Sequence, residues 1–184
     1  NVTLNLTSIA DTGGSGYYRT KLPNGTFVTT ATASEVVTSN GTYSFVIYDN
    51  AGNSTTKSIT VSNIDKTLPT GDISQTPTGA TNGDVTLNLT AIADTGGSGY
   101  YRTKLPNGTF VTTTSASEVV TTNGTYNFVI YDNAGNSTTK SITVSNIDKT
   151  APTGTLTQTP SYWTNGNVTL NLTSIADTGG SGYY

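Results

Sequence analysis

The chain has 184 residues, a formal net charge of −3, and no cysteine, methionine or histidine. It therefore lacks thiolate and imidazole metal ligands and the usual general base near neutral pH, so any catalysis would rest on carboxylates alone. Eight Lys and Arg residues against eleven Asp and Glu residues, with no basic cluster, argue against nucleic-acid binding.

No stretch of the sequence is long and apolar enough to be a membrane span or a signal peptide. A secreted protein would then carry its signal and its anchor outside this sequence.

The sequence repeats itself with a period of 83 residues. Residues 1–83 align without gaps with residues 84–166, only thirteen positions differ between these two copies, and residues 167–184 begin a third copy. Units that are nearly interchangeable present the same surface repeatedly, which suits a protein that supplies length or valency. The repetition therefore favours a spacer or fibre over an enzyme.

Apolar and polar residues alternate along short segments of the repeat, with the period of two that a half-buried strand requires. Val85, Leu87 and Leu89, for example, face one way within residues 84–90. The predicted strands of the second repeat are, in chain order, residues 71–76, 84–90, 100–105, 108–113, 117–121, 125–132 and 140–145. Turn sequences such as Asn82-Gly83 and Asn123-Gly124 separate them, and no window carries the apolar stripe of a helix. The pattern predicts an all-β fold, a small antiparallel sandwich of about seven strands.

The boundary between repeats is placed at residues 146–153, where a proline follows the last predicted strand. This choice gives three domains: residues 1–67 lack their first strand, residues 68–150 are a complete repeat, and residues 151–184 are the N-terminal part of a third. We expect a slice of a longer array, or neighbouring identical chains that complete each other by strand addition. The expected partners are thus adjacent repeats of the same array or neighbouring identical chains.

Four motifs stand out: DTGGSG at 94–99, NGTY at 123–126, YDNAGN at 131–136 and the linker IDKTAPT at 147–153. Together they resemble the bacterial immunoglobulin-like domain repeats of large cell-surface proteins. The resemblance implies tandem seven-stranded immunoglobulin-like β-sandwiches in a linear array, in stalks, adhesins or cell-wall proteins, and it implies no ligand. It also places Tyr126 at the start of the sixth strand, where a tyrosine hydroxyl typically bonds to nearby backbone.

Three aspartates are candidate metal ligands. If the sandwich prediction holds, the loop at Asp94, the hairpin at Asp132 and the incoming linker with Asp65 converge at one end of the domain. Carboxylate and carbonyl oxygens suit calcium, which would sit at a domain junction. In the alternative interpretation, each aspartate caps a turn by accepting hydrogen bonds from backbone N–H groups. No other cofactor is predicted.

Two sequons are candidate glycosylation sites. Asn88 has the outward parity of its strand, and Asn107 lies in a turn, so attachment at either is sterically feasible. A chain rich in Asn and Thr also produces such sequons by chance.

Some aromatic side chains are candidates for stacking on sugars or on a partner chain, with packing in a core or between domains as the alternative. They are Tyr100, Tyr101, Tyr131 and Trp163.

The function predicted overall is a non-enzymatic structural protein, an extracellular stalk or filament. The alternative function is an adhesin whose repeats bind glycans or host proteins through faces rich in tyrosine.

Overall fold

In the computed structural model, which describes residues 1–178 and 181–182, the chain forms two compact units. The first unit contains residues 1–67 and 96–98, and the second contains the described residues of 68–95 and 99–184. The described residues form strands, turns and loops without a helix, and so without any helix that could cross a membrane. The all-β class predicted from the alternation is confirmed.

The first unit contains two antiparallel sheets. Its strands are β1 (Val2–Leu6), β2 (Tyr17–Lys21), β3 (Phe27–Val28), β4 (Ala33–Val37), β5 (Gly41–Asp49) and β6 (Ser54–Val61). One sheet pairs β1 with β4, and the other has the strand order β3-β2-β5-β6. Leu4, Val37 and Phe45 belong to a single buried cluster that collects residues from both sheets.

The second unit contains the strands of residues 68–150 and those that follow them. Its strands are β7 (Thr70–Thr76), β8 (Val85–Ala93), β9 (Tyr100–Lys104), β10 (Phe110–Val111), β11 (Ala116–Val120), β12 (Gly124–Asp132), β13 (Ser137–Val144), β14 (Thr153–Thr159) and β15 (Thr169–Ala176). The sheets have the orders β11-β8-β7, β10-β9-β12-β13 and β14-β15, and all their pairings are antiparallel.

The core of residues 68–150 lies between the three-stranded and four-stranded sheets. Leu87 and Leu89 of β8 and Phe128 and Ile130 of β12 have no exposed surface, and they belong to one cluster. Gly71 in β7 lies directly against this core, because an added Cβ there would come within 2.9 Å of the Ile130 Cδ1 atom. The absence of a side chain at this position lets β7 approach the core closely.

A bulge in β8 changes the direction of the chain just before the DTGGSG loop. The register of β7 against β8 shifts between Thr70 and Asp72, so that β8 has one extra residue. Ala91 lies at this bulge with a left-handed φ of 50°, and Ser8 and Ser174 have φ values of 56° and 51° at the corresponding positions of the other copies. Such bulges bend a strand and re-aim the residues that follow it.

The expectation for Tyr126 is confirmed. Its hydroxyl donates a hydrogen bond of 2.8 Å to the carbonyl oxygen of Thr122, and Tyr43 donates one of 2.7 Å to Ser39 in the first unit. These bonds fix the corner at which the chain enters β12 and β5.

Candidate functional site

The hairpin between β12 and β13 is held by Asp132. One carboxylate oxygen of Asp132 accepts a 2.7 Å bond from the backbone N–H of Asn136, and the other accepts a 2.7 Å bond from the Asn136 side-chain amide. Asp132 is almost fully buried. In the first unit, Asp49 makes the same two bonds with Asn53, and the Asn53 amide lowers the pKa of Asp49 below its ordinary value. Hydrogen bonds to the ionised form favour it over the protonated form.

Asp94 organises the DTGGSG loop from its first position. Its Oδ2 atom accepts a 2.8 Å bond from the N–H of Gly99, while its Oδ1 atom is buried without a hydrogen-bond partner. The side-chain amide of Asn133 donates a 3.0 Å bond to the Gly99 carbonyl, which ties the hairpin to the loop. One carboxylate oxygen of Asp94 lies within 4.8 Å of one carboxylate oxygen of Asp132. The predicted proximity of this loop and this hairpin is therefore observed.

Asp65 lies in the first unit and accepts hydrogen bonds from Thr67 and Ser98. The N–H of Thr67 donates one of 2.9 Å, and Ser98 donates one of 2.9 Å from its N–H and one of 2.5 Å from its hydroxyl. The Ser98 hydroxyl, followed by the Thr67 N–H, lowers the pKa of Asp65 to about 2. A side chain at Gly97 would lie 2.6 Å from the Asp65 Cγ atom, so this loop requires glycine at that position.

The linker of the second unit repeats this arrangement. Asp148 accepts a 3.0 Å bond from the N–H of Thr150, and bonds of 3.1 and 2.5 Å from the N–H and hydroxyl of Ser181. The Ser181 hydroxyl makes the largest contribution to a lowered pKa of Asp148. A linker aspartate thus joins the end of one repeat to the DTGGSG loop of the next.

The hydrogen bonds of Asp65, Asp94 and Asp132 are those of the turn-capping alternative. Capping accounts for at least one oxygen of each carboxylate without any metal. The chemistry of the oxygen ligands and the unpartnered Oδ1 atom of Asp94 suit calcium, and the calcium site stays a prediction.

The two candidate glycosylation sites differ in their surroundings. Asn88 is half-buried in β8, between Ser74 of β7 and Ser117 of β11. Asn107 is exposed, and its amide nitrogen donates a 2.9 Å bond to the carboxylate of Glu118. A glycan on that nitrogen would compete with this bond. Glycosylation of either residue stays a prediction.

The candidate aromatic residues fall into two groups. Tyr100 packs against the core and donates bonds to the carbonyls of Val111 and Thr113, at 3.2 and 3.1 Å. Tyr101 and Trp163 are exposed, with Trp163 fully open to solvent. The doubled tyrosine at the start of β9 has one member inside and one outside, because consecutive strand residues alternate, and the register shift at this point leaves Tyr101 on the same side as Arg102.

An unexpected cation lies beside the exposed aromatic residues. The guanidinium carbon of Arg102 is 4.1 Å from the ring centre of Phe110, 4.9 Å from that of Tyr101 and 5.7 Å from that of Tyr131. Lys104 shares this side of the sheet, since it lies directly opposite Phe110 and two residues after Arg102. We call these five residues the Arg102 face. The sequence pattern identified its tyrosines but neither Arg102 nor Phe110.

The family comparison matches most of this architecture. The family model of the SHIRT domain matches residues 15–72 and 97–152, which together exceed half of the chain. The chain belongs to the SHIRT domain family. Each of the two SHIRT matches includes a DTGGSG serine, an Arg–aromatic group and a YDNAGN hairpin. The matches establish a repeated β-rich domain. Among curated proteins, none matches the chain significantly.

Proposed function

We propose that these SHIRT repeats form a non-enzymatic stalk or filament on the outside of a bacterial cell. The observation that carries the proposal is the 83-residue repeat itself, since two nearly identical copies fold around separate, corresponding cores. Repetition of one compact unit adds length in equal steps and presents the same side chains at each step.

The proposed architecture of each complete repeat is an immunoglobulin-like sandwich. The two sheet orders, β11-β8-β7 and β10-β9-β12-β13, and the one core that both sheets share support it. The tyrosine corner at Tyr126 supports it further.

Hydrogen bonds on the second repeat's exit linker favour a stiff connection. The side-chain amide of Asn146 donates bonds of 3.0 and 2.7 Å to the carbonyls of Pro77 and Gly79, and Lys149 pairs with Asp84 at 3.1 Å. Asn123 exchanges two bonds with the backbone of Ile147, at 2.8 and 3.0 Å. A linker held at several points along its length has few conformations, which is the property that a spacer requires.

The non-enzymatic part of the proposal rests on how the acidic groups are used. The carboxylates of Asp65, Asp94 and Asp132 stabilise turns by accepting bonds from the chain itself. A structural role is therefore the simplest explanation for these aspartates.

Proteins with two, four and eight SHIRT repeats would test the spacer function. We expect the maximum dimension in small-angle scattering to increase by a constant increment for each added repeat. A matched control of eight repeats with flexible Gly-Ser segments in place of the exposed residues 149–152 should be shorter on average. A dimension that grows only as the cube root of mass would show compact packing and contradict the proposal.

A further inference from the structure

The Arg102 face concentrates positive charge on one side of the four-stranded sheet. Arg102 is paired in register with Tyr131, and Lys104 with Val129 and Phe110. The β13 residues that continue this side of the sheet are uncharged, namely Ser137, Thr139, Ser141 and Thr143. The two cations therefore have no carboxylate on the strands of their own face, in a chain whose net charge is −3.

The guanidinium of Arg102 is surrounded by aromatic rings. Within the part of the chain that the structure describes, no carboxylate or carbonyl accepts a bond from the Arg102 side chain, and its Nε atom is buried without a partner. The surrounding rings hold the side chain in place through cation–π contacts. The Arg102 guanidinium is thus fixed in position while its charge is left uncompensated. This arrangement favours binding of an external anion.

The rings of this face also offer apolar surface to a ligand. Phe110 is 47% exposed and Tyr101 is 49% exposed. The Phe110 and Tyr131 rings are 6.3 Å apart and tilted by 49°, which leaves an open surface rather than a closed stack. Exposed rings beside a cation can receive the C–H face of a sugar while the cation binds an acidic group.

The first unit carries the same arrangement. The guanidinium carbon of Arg19 is 4.1 Å from the Phe27 ring centre, 5.0 Å from that of Tyr18 and 5.6 Å from that of Tyr48. Lys21 lies opposite Phe27, as Lys104 does opposite Phe110. One chain therefore presents the face twice, separated by one sequence period.

We propose that the Arg19 and Arg102 faces bind an anionic polysaccharide, one repeat of the protein engaging one segment of the polymer. Charge complementarity requires the acidic group, because a neutral glycan would leave the guanidinium unpaired. The recurrence of the face favours a repetitive polymer, since a second attachment by the same chain is intramolecular and strengthens overall binding. This activity goes beyond the spacer function, which depends on length alone.

Binding to immobilised polymers at low and physiological salt tests the proposal. Hyaluronan presents carboxylates, dextran sulfate presents sulfates, and unmodified dextran is the neutral probe. We expect the intact protein to bind at least one acidic polymer and not dextran, with the preferred polymer identifying the acidic group. Arg102→Gln should weaken binding roughly tenfold or more by removing one of two attachments. Arg19→Gln combined with Arg102→Gln should abolish it.

Two controls separate a specific face from general charge. Lys66→Gln removes one exposed positive charge from the linker, and we expect it to change the affinity little. Phe27→Leu combined with Phe110→Leu keeps every charge and should still weaken binding strongly, since it removes the stacking surface and the support of both arginines. Circular dichroism would confirm that each variant is folded.

Several results would overturn the proposal. They are failure of the intact protein to bind either acidic polymer, equal binding to dextran, an equal loss in Lys66→Gln and Arg102→Gln, and unchanged binding by the double arginine variant. Binding of an acidic protein without binding of either polymer would also overturn it. None of these results alters the dimension measured for different numbers of repeats. The scattering experiment therefore tests the spacer function independently of polysaccharide binding.

Discussion

The Ser98 hydroxyl favours the ionised form of Asp65, because a hydrogen bond to a carboxylate is lost when the carboxylate is protonated. The pKa of Asp65 is about 2 in the folded protein, below the ordinary value of 3.8. A lowered folded-state pKa contributes stability above the unfolded-state value, and this contribution is lost as the pH falls through the folded-state value. The contribution is thus complete above about pH 4 and disappears towards pH 2.

This linkage predicts the behaviour of Ser98→Ala. The variant should be less stable than the original protein at pH 5, and the difference should shrink as the pH falls from 4 to 2. Urea unfolding at a series of pH values measures both effects. Parallel stability profiles across this range would contradict the assigned role of Ser98.

Asp94 provides the test that separates turn capping from calcium binding. Asparagine at this position retains an oxygen that can accept the Gly99 N–H bond, but it lacks the negative charge that strengthens calcium binding. If calcium binds, a chelator should lower the melting temperature of the original protein more than that of Asp94→Asn at the same calcium concentration. Chelator-independent melting of both proteins would leave turn capping as the complete explanation.

The residues of the sites were predictable to different degrees. Aspartates next to glycine-rich turns are recognisable from local sequence, and Asp94 and Asp132 do come together. Arg102 gives no local signal, because a charged residue in a strand normally extends into solvent. Its position among three rings depends on the pairing of β9 with both β10 and β12, which joins residues distant in sequence.

At the scale of elements, the predicted strands of the second repeat are all present, and their ends differ for physical reasons. β13 begins at Ser137, although the prediction began at residue 140, because the tight hairpin continues the backbone pairing through a run of polar residues without alternation. β10 is limited to Phe110–Val111, where the prediction covered residues 108–113. Alternation identifies strands by burial, but hydrogen-bond pairing determines where they end.

The alternation along β12 makes a quantitative prediction about its two faces. Phe128 has no exposed surface, so Phe128→Ala should reduce the free energy of unfolding of its unit by about 3–5 kcal/mol. Val129 is half-buried on the opposite face, and Val129→Ala should cost only about 1 kcal/mol or less. Chemical denaturation of both variants checks the prediction, and equal losses would mean that the assigned faces are wrong.

At the scale of the whole chain, the two cores have the same residue types at corresponding positions, but different numbers of strands cover them. β8 is flanked by β7 and β11, and Val85, Leu87 and Leu89 are completely buried. The corresponding β1 pairs with β4 alone, and Val2 and Leu6 remain half-buried. Since hydrophobic stabilisation increases with the apolar area removed from water, the first unit should be the less stable one in a polypeptide of residues 1–184.

Thermal unfolding of the chain should therefore show two transitions, with the first unit melting at the lower temperature. Phe45 and Phe128 occupy equivalent positions in the separate cores, which makes their alanine variants a matched pair. Phe45→Ala should lower the temperature of the first transition only. Phe128→Ala should lower the temperature of the second transition towards that of the first. If either variant shifted both transitions equally, the units would unfold as one cooperative block. The thermal stability of each unit would then depend on its neighbour, because a destabilising substitution in one unit would also lower the stability of the other.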